Sequence, residues 1–453
     1  MAEGDVVLEA ACRAVEHAIA VGADQCDVFV QSYSESSVTV RRFDVEKLIE
    51  AGGHSLGLRV IHGGRTAICS TSEFEDDSLE KIARQAFELV QVAAVDPYAG
   101  LPDSADVTTP SVDGLQLYDE SLRSMSVESK ITIAQSCEEA AFAEDDRVSN
   151  SNGATLATRA GEVAVANSNG FAASYPGTSI SLTVEVMADD DEGKKRNAYW
   201  FSSERFLHRL DGPEHVGRTA ARRAVAQLGA RKVETGSFPV VFEPATSVDL
   251  LRLLSGCVSG ESLYRGASFL VQSADQKVGS PLVDIADDPR LPGRGGSRPF
   301  DGEGVTTSAR KLFDKGVFKG FLFDSYTARR AGARTTGSAH RGPQTLPSPG
   351  ASNVVWSPGD SPPGEVVAGI GEGLFVTSLM GFGFNPTTGD FSRGAGGFWI
   401  KDGELAFPVA EINISGRMDE MLMAVDAVGD DLTWFGTSAA PTIRVAEMTV
   451  SGL

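Results

Sequence analysis

Metal-ligating and redox-active residues are sparse in this chain, and their scarcity excludes several kinds of chemistry. The five cysteines (Cys12, Cys26, Cys69, Cys137, Cys257) are odd in number and widely spaced, with no C-x-x-C. This excludes a disulfide framework and predicts reduced, buried thiols in a cytoplasm. The six histidines are His17, His54, His62, His208, His215 and His340, and no two stand at metal-ligand spacing on a helix. His54 and His62 have the option of approaching across a sheet, although surface strand positions explain them more cheaply. No G-x-S-x-G elbow, P-loop or H-E-x-x-H occurs. Gly369-Ile370-Gly371-Glu372-Gly373 has the wrong spacing for a nucleotide loop. Basic residues are few, 40 against 62 acidic, for a net charge of −22. Nucleic acid and anionic membranes, which need a basic footprint, are thereby excluded as partners. The most apolar late stretch, Val366 to Phe384, holds Glu372 and five glycines, so it does not read as a membrane span. The leading Met1-Ala2-Glu3-Gly4-Asp5 is acidic and lacks the basic start of a secretory signal.

The remainder reads as a globular protein, with 42% hydrophobic and 23% charged residues, and 453 residues exceed one ordinary core. Apolar positions at Val7, Ala11, Val15 and Ile19 predict a helix, and Ser78 to Val92 a second. Cys26 to Val30 and Ser37 to Arg41 alternate as strands, and Gly63-Gly64 closes a hairpin that begins near Leu56. Residues 95–124 read as a linker, followed by a helix over about Val127 to Ala143. Asn152-Gly153 and Asn169-Gly170 each fit a tight hairpin turn. Asp189-Asp190-Asp191-Glu192 reads as a solvated hairpin tip rather than a metal loop, and Glu204 to Leu228 as one long helix.

From Gly236 the texture turns to β. Hairpins are expected around Asp314-Lys315-Gly316 and Lys401-Asp402-Gly403, with a long irregular loop over 336–364. These patterns predict an α+β protein in two parts. Residues 1–235 form an N-terminal α/β layered region with a mixed or antiparallel sheet and flanking helices, in subregions of about 1–95 and 125–230. Residues 236–453 form a mostly β, sandwich- or barrel-like domain. His340 is the only histidine of that domain, and one histidine does not make a metal site.

Four segments of the second part carry a family likeness. They are Leu254-Ser255-Gly256-Cys257-Val258-Ser259-Gly260-Glu261-Ser262-Leu263-Tyr264-Arg265-Gly266, Ser297-Arg298-Pro299-Phe300-Asp301-Gly302-Glu303-Gly304-Val305, Phe321 to Arg330, and Gly389 to Ile400. Val38-Thr39-Val40 and Gly57-Leu58-Arg59-Val60 add a looser match near the start. Together they resemble the TldE (PmbA) branch of the TldD/PmbA metallopeptidase family over essentially the whole chain. The resemblance implies a heterodimer in which a TldD-like partner holds zinc through two histidines and a cysteine. The TldE-like subunit completes the cavity that encloses a peptide substrate. Such pairs are similar to enzymes that remove leader peptides from modified precursors or degrade unfolded chains.

Val248 to Cys257 resembles the helix that bears the His-Glu-x-x-x-His zinc motif in the catalytic branch. Counting back from Arg265-Gly266 puts its histidines at Leu251 and Gly256 and its glutamate at Arg252. Neither Leu nor Gly donates to zinc, and Arg is no general base at neutral pH. The late run Asp431 to Ser438 has no cysteine. The expectation is a pseudo-site with no cofactor in this chain and zinc in the partner. Glu261, Tyr264, Arg265, Arg298, His340 and Arg393 are candidates for contact with substrate or partner, although structural anchoring accounts for them equally well. Two other readings remain: a stand-alone homodimeric peptide-binding protein, or a hydrolase that uses His340 or an unrecognised non-zinc site.

Overall fold

The computed structural model describes residues 3–108 and 111–452. Met1 and Ala2, which belong to the acidic leader, lie outside them, as does the side chain of Glu192 in the acidic tip.

The N-terminal half is built on one antiparallel sheet of six strands. These are β1 (Gln25–Arg41), β2 (Asp44–His62), β3 (Arg65–Thr71), β4 (Val148–Asn167), β5 (Ala172–Asp189) and β6 (Lys195–Glu204), in the order β3-β2-β1-β4-β5-β6. Strand twist accumulates over such long strands, and the sheet curls into a half-barrel. Helices α1 (Glu3–Ala20) and α2 (Asp76–Val92) cover one end of it, burying Val28, Val30, Leu56, Leu58 and Val60. After the short α3 (Glu120–Arg123), α4 (Val127–Glu144) and α5 (Pro213–Val225) cover the other end, over Val38, Val40, Leu156 and Leu182. Because β1 feeds both cores, the two ends share one rigid element.

Several local expectations change. Cys26–Val30 and Ser37–Arg41 belong to a single strand, β1. His54 and His62 lie on the same strand, β2, so they do not meet. Asn152-Gly153 is not a hairpin turn. It is a bulge inside β4, where the register shifts and Gly153 takes φ +101°, the left-handed region that a side chain disfavours. Asn169-Gly170 does make the β4–β5 turn. The expected helix Glu204–Leu228 is interrupted: Glu204 ends β6, Leu207–Arg209 form a 3-10 turn, and α5 starts only at Pro213. Proline is pre-set for a first helical turn and lacks the N–H that would go unmet there.

The second half contains β7 (Gly236–Phe242), α6 (Pro244–Cys257), α7 (Gly260–Tyr264), β8 (Ile285–Asp287), β9 (Arg310–Asp314), β10 (Val317–Phe318), α8 (Ser325–Ala331), β11 (Ala339–His340), β12 (Ser348–Pro349) and β13 (Val354–Trp356). It continues through α9 (Pro363–Ala368), β14 (Glu372–Met380), β15 (Asp390–Lys401), β16 (Glu404–Arg417), α10 (Met418–Met423), β17 (Val425–Val428), β18 (Thr433–Phe435), β19 (Ser438–Ala440) and β20 (Ile443–Ser451). Strands β16, β15, β14, β7 and β20 are neighbours in that order, and Asn413–Ser415 of β16 pair back onto Thr449–Ser451 of β20. The result is a closed five-stranded barrel. A second sheet runs β10-β9-β8-β13-β19-β18, and α6 contacts both sheets at β14 and β19.

Buried charge joins the two halves. Asp27 on β1 accepts from Arg59 Nε at 3.0 Å and from Arg341 Nη1 at 2.7 Å, and its other oxygen accepts from Arg59 Nη2. Arg59 also reaches Glu303 Oε1 at 3.2 Å, whose second oxygen caps the Ser325 amide at 2.8 Å. Asp27, Glu303 and the Arg341 side chain are 0% exposed. Burial pushes the Asp27 carboxyl up, but Arg341 and then Arg59 outweigh it and hold it below its usual range. Next to this network the two halves approach so closely that a Cβ on Gly57 would stand 2.0 Å from the Pro343 carbonyl. Further out, Arg205 donates to the carbonyls of Leu117, Arg294, Gly295 and Ser297, and Arg223 clasps Glu243 at 2.6 and 3.0 Å. Removing one partner of a buried ion set strands the others, at a cost of about 3–5 kcal/mol. Arg59→Ala is therefore expected to lower the unfolding free energy by that order, read from urea titration followed by circular dichroism. Arg147→Ala, on an exposed pair, should leave it within error.

Candidate functional site

Helix α6 starts at Pro244, and its apolar spacing turns Val248, Leu250, Leu251 and Leu254 into the core. Leu251 is 1% exposed there. Gly256 lies on the solvent side, and a Cβ built on it meets no atom within 4 Å. The two zinc-motif positions are thus a packed core side chain and an open glycine. Arg252 is exposed and donates to Asp249 at 3.5 Å and to the Phe435 carbonyl at 3.1 Å. Burial pushes the Cys257 thiol up to about 12, which makes it inert. Among the described residues no three His, Cys, Asp or Glu side chains are grouped to hold a metal ion.

The other candidates fall into two surface clusters and one cleft. On α7, Glu261 pairs with Arg265 at 2.7 Å, while the Tyr264 ring meets Tyr326 edge-on at 6.5 Å and lies 4.4 Å from the Arg330 guanidinium. Arg393 donates Nε to the Gly381 carbonyl at 2.9 Å, steadying a loop whose Phe382 is 101% exposed. Arg393 also acts electrostatically on Asp249, beside Arg252, so these two arginines serve one face of α6.

Arg298 and His340 are brought together, 3.1 Å apart, in a cleft between the two halves. The cleft encloses about 290 Å³ and is lined by Phe29 and Tyr175 from the half-barrel and by Arg298, Asp301, His340, Arg341 and Ser348 from the second half. His340 is exposed to solvent on the cleft wall, with protein packed around it. Desolvation, then Arg298, bring its pKa down to about 4, so at neutral pH its Nε2 accepts from Arg298 rather than holding a charge. His340 thus faces an arginine, not the serine and aspartate of a triad. Asp301 is already filled: Oδ1 accepts from the amides of Glu303 at 2.9 Å and Val305 at 3.0 Å, and Oδ2 from Ala339 at 2.9 Å. Burial first, then Glu303, push its pKa up. Asp27, Arg59, Glu303 and Arg341 were not singled out as site residues from the sequence. Arg59 and Glu303 do sit inside the quoted segments, which is the one signal that pointed there.

Family models match the chain in three consecutive pieces: the PmbA/TldA metallopeptidase domain 1 over 26–90, the central domain over 120–228 and the C-terminal domain over 235–452. The metalloprotease PmbA homolog of Haemophilus influenzae is 31% identical over 444 residues, covering 98% of this chain and 96% of that one. The metalloprotease TldD homolog of the same organism is 24% identical over 421 residues, covering 90% and 86%. TldE from Thermococcus kodakarensis has the same fold, with a TM-score of 0.88 over 98% of this chain and 100% of that one at 22% identity. The chain belongs to the PmbA/TldD metallopeptidase family, on its PmbA/TldE branch.

Two measurements check the reading of α6. Leu251→His is expected to destabilise by about 2–5 kcal/mol, since it puts a polar ring into a packed site. Gly256→Ala should be neutral or stabilise by up to about 1 kcal/mol. The double variant Leu251→His/Gly256→His should take up no stoichiometric zinc by elemental analysis, because position 251 is packed into the core and no further ligands are grouped beside it among the described residues. A third check uses Asp287 on β8, where burial outweighs the amides of Ser352 and Asn353 and the charges of Arg298 and Arg310 to raise the carboxyl from 3.8 to about 6. The folded state therefore holds this proton more tightly than the unfolded chain. Its contribution to stability is full below pH 3.8 and is lost as pH rises through about 6. Asp287→Asn should flatten that part of a Tm-against-pH curve.

Proposed function

We propose that the chain is the non-catalytic, TldE-like subunit of a cytoplasmic zinc metallopeptidase, paired with a TldD-like subunit that supplies the metal. The observation that carries this is the position of Leu251. It occupies the place of a zinc ligand in the family motif and is committed to the core, while Gly256 is exposed. The occurrence of a PmbA homolog and a TldD homolog in one organism supports a division of labour between two related chains. In this reading the subunit completes the cavity around a peptide. The substrate is a leader-bearing modified precursor or an unfolded chain, held through its main chain with little side-chain selectivity. The exposed patches around Tyr264 and Phe382, both on the α6–α7 side of the second half, are the surfaces offered to partner or substrate.

Co-expression with a TldD-like chain is expected to give a stable one-to-one complex that cleaves unstructured peptides, with loss of cleavage on chelation. This chain alone should be inactive and bind no stoichiometric zinc. Zinc-loaded, peptide-cleaving protein in the absence of a partner would sink the proposal. If loss of that activity tracked His340→Ala, the hydrolase reading would take its place. A homodimer that binds peptides and ignores the TldD-like chain would favour the stand-alone carrier.

A further inference from the structure

Arg298 has no carboxylate within ion-pair distance among the described residues. Its Nη1 donates to the Ala339 carbonyl at 3.0 Å, its Nη2 to His340, and its Nε has no partner. Beside it, Arg341 is bound to Asp27 through Nη1 alone, and its Nε and Nη2 are buried without acceptors. An unmet buried donor costs about 1–3 kcal/mol, and more when the group is charged. Three such nitrogens lie behind the wall of one cleft, on two neighbouring guanidiniums left short of an acceptor. The protein does not supply it: the Asp301 oxygens are filled by amides, and His340 is neutral. Asp27 and Glu303 balance Arg59 and Arg341, which leaves Arg298 as the cleft guanidinium that no carboxylate pairs at contact distance, although Asp287 and Asp301 feel its charge.

We propose that this cleft binds the carboxylate of an amino-acid-sized ligand, either a small free acid or the terminal residue of a peptide. Arg298 is the principal contact. The hydroxyls of Tyr175 and Ser348 offer further donors, and the rings of Phe29 and Tyr175 flank the ligand's apolar body. A single guanidinium with no carboxylate in ion-pair contact suits a monoanion better than a phosphate, and its planar fork matches a carboxylate. The volume of about 290 Å³ admits one residue rather than a long segment. None of the zinc-motif positions lines the cleft, so the site does not rest on the subunit role proposed above.

The full chain would be titrated by calorimetry with N-acetylated amino acids, their primary amides, a short peptide with and without a free C-terminal carboxylate, and inorganic phosphate, each to about 10 mM. Saturable binding of the acids is expected, with the amides at least about tenfold weaker and phosphate not competing. Preference for the peptide acid over the acetylated amino acid would place a chain terminus in the cleft, and the reverse a free acid. Arg298→Gln should weaken acid binding at least about tenfold, while the surface variant Arg147→Gln leaves it unchanged. Should Arg298→Gln fail to fold, Ser348→Ala and Tyr175→Phe serve in its place, each removing one hydroxyl and weakening the acids but not the amides. Equal binding of acid and amide, phosphate binding as tight as the acids, or no binding by any probe would overturn the assignment. So would unchanged binding in all the folded cleft variants.

Discussion

Everything in this protein is referred to the buried ion set of Asp27, Arg59, Glu303 and Arg341. Two carboxylates and two guanidiniums balance in a place closed to water, and each half contributes one of each sign. The N-terminal half has its own Asp27–Arg59 pair, but Arg341 without Asp27, or Glu303 without Arg59, would be a bare buried charge. Such a set specifies geometry more than it adds stability, because its hydrogen bonds tolerate little sliding. The angle between half-barrel and barrel is thus held by charge matching. Arg205 and Arg223 then fasten the rim, and the cleft of Arg298 and His340 opens beside the same network.

The segments by which the family is recognised make physical sense in this light. Gly57-Leu58-Arg59-Val60, the run Ser297 to Val305 and the start of α8 lie far apart in sequence, yet Arg59, Glu303 and Ser325 bond to one another. The zinc-motif helix shows the opposite. Its flanks keep the family pattern, whereas Leu251 has become an ordinary core residue and Gly256 an open one.

Legibility in the sequence followed the range of the forces involved. The β15–β16 hairpin was readable because Asp402 and Gly403, at φ 52° and 81°, are residue types that accept a left-handed turn. The α+β division and the helices α2 and α4 were readable from local periodicity. Residues 44–55 of β2 were not, since they are charged and apolar by turns and exposed almost throughout, so only pairing with β1 makes them a strand. Asn152-Gly153 misled because a bulge and a tight turn ask for the same positive φ. Arg298 and His340 were picked out singly. Their union with Phe29 and Tyr175 depends on how the halves dock, which no local pattern encodes.

The closed barrel sets the order in which this chain can be finished. β7 and β20 lie side by side, although residues 243–442 intervene between them. Until β20 arrives, β7 is paired on one side only, and α6 rests on a sheet with an open seam. The strand that opens the domain must therefore wait for the strand that seals it. This is a long loop to close, and one that slows folding while leaving a bare β edge in the meantime. The half-barrel, whose strands join near neighbours in sequence apart from the β1–β4 pairing, faces a shorter wait, so it can serve as the template on which the later domain is assembled.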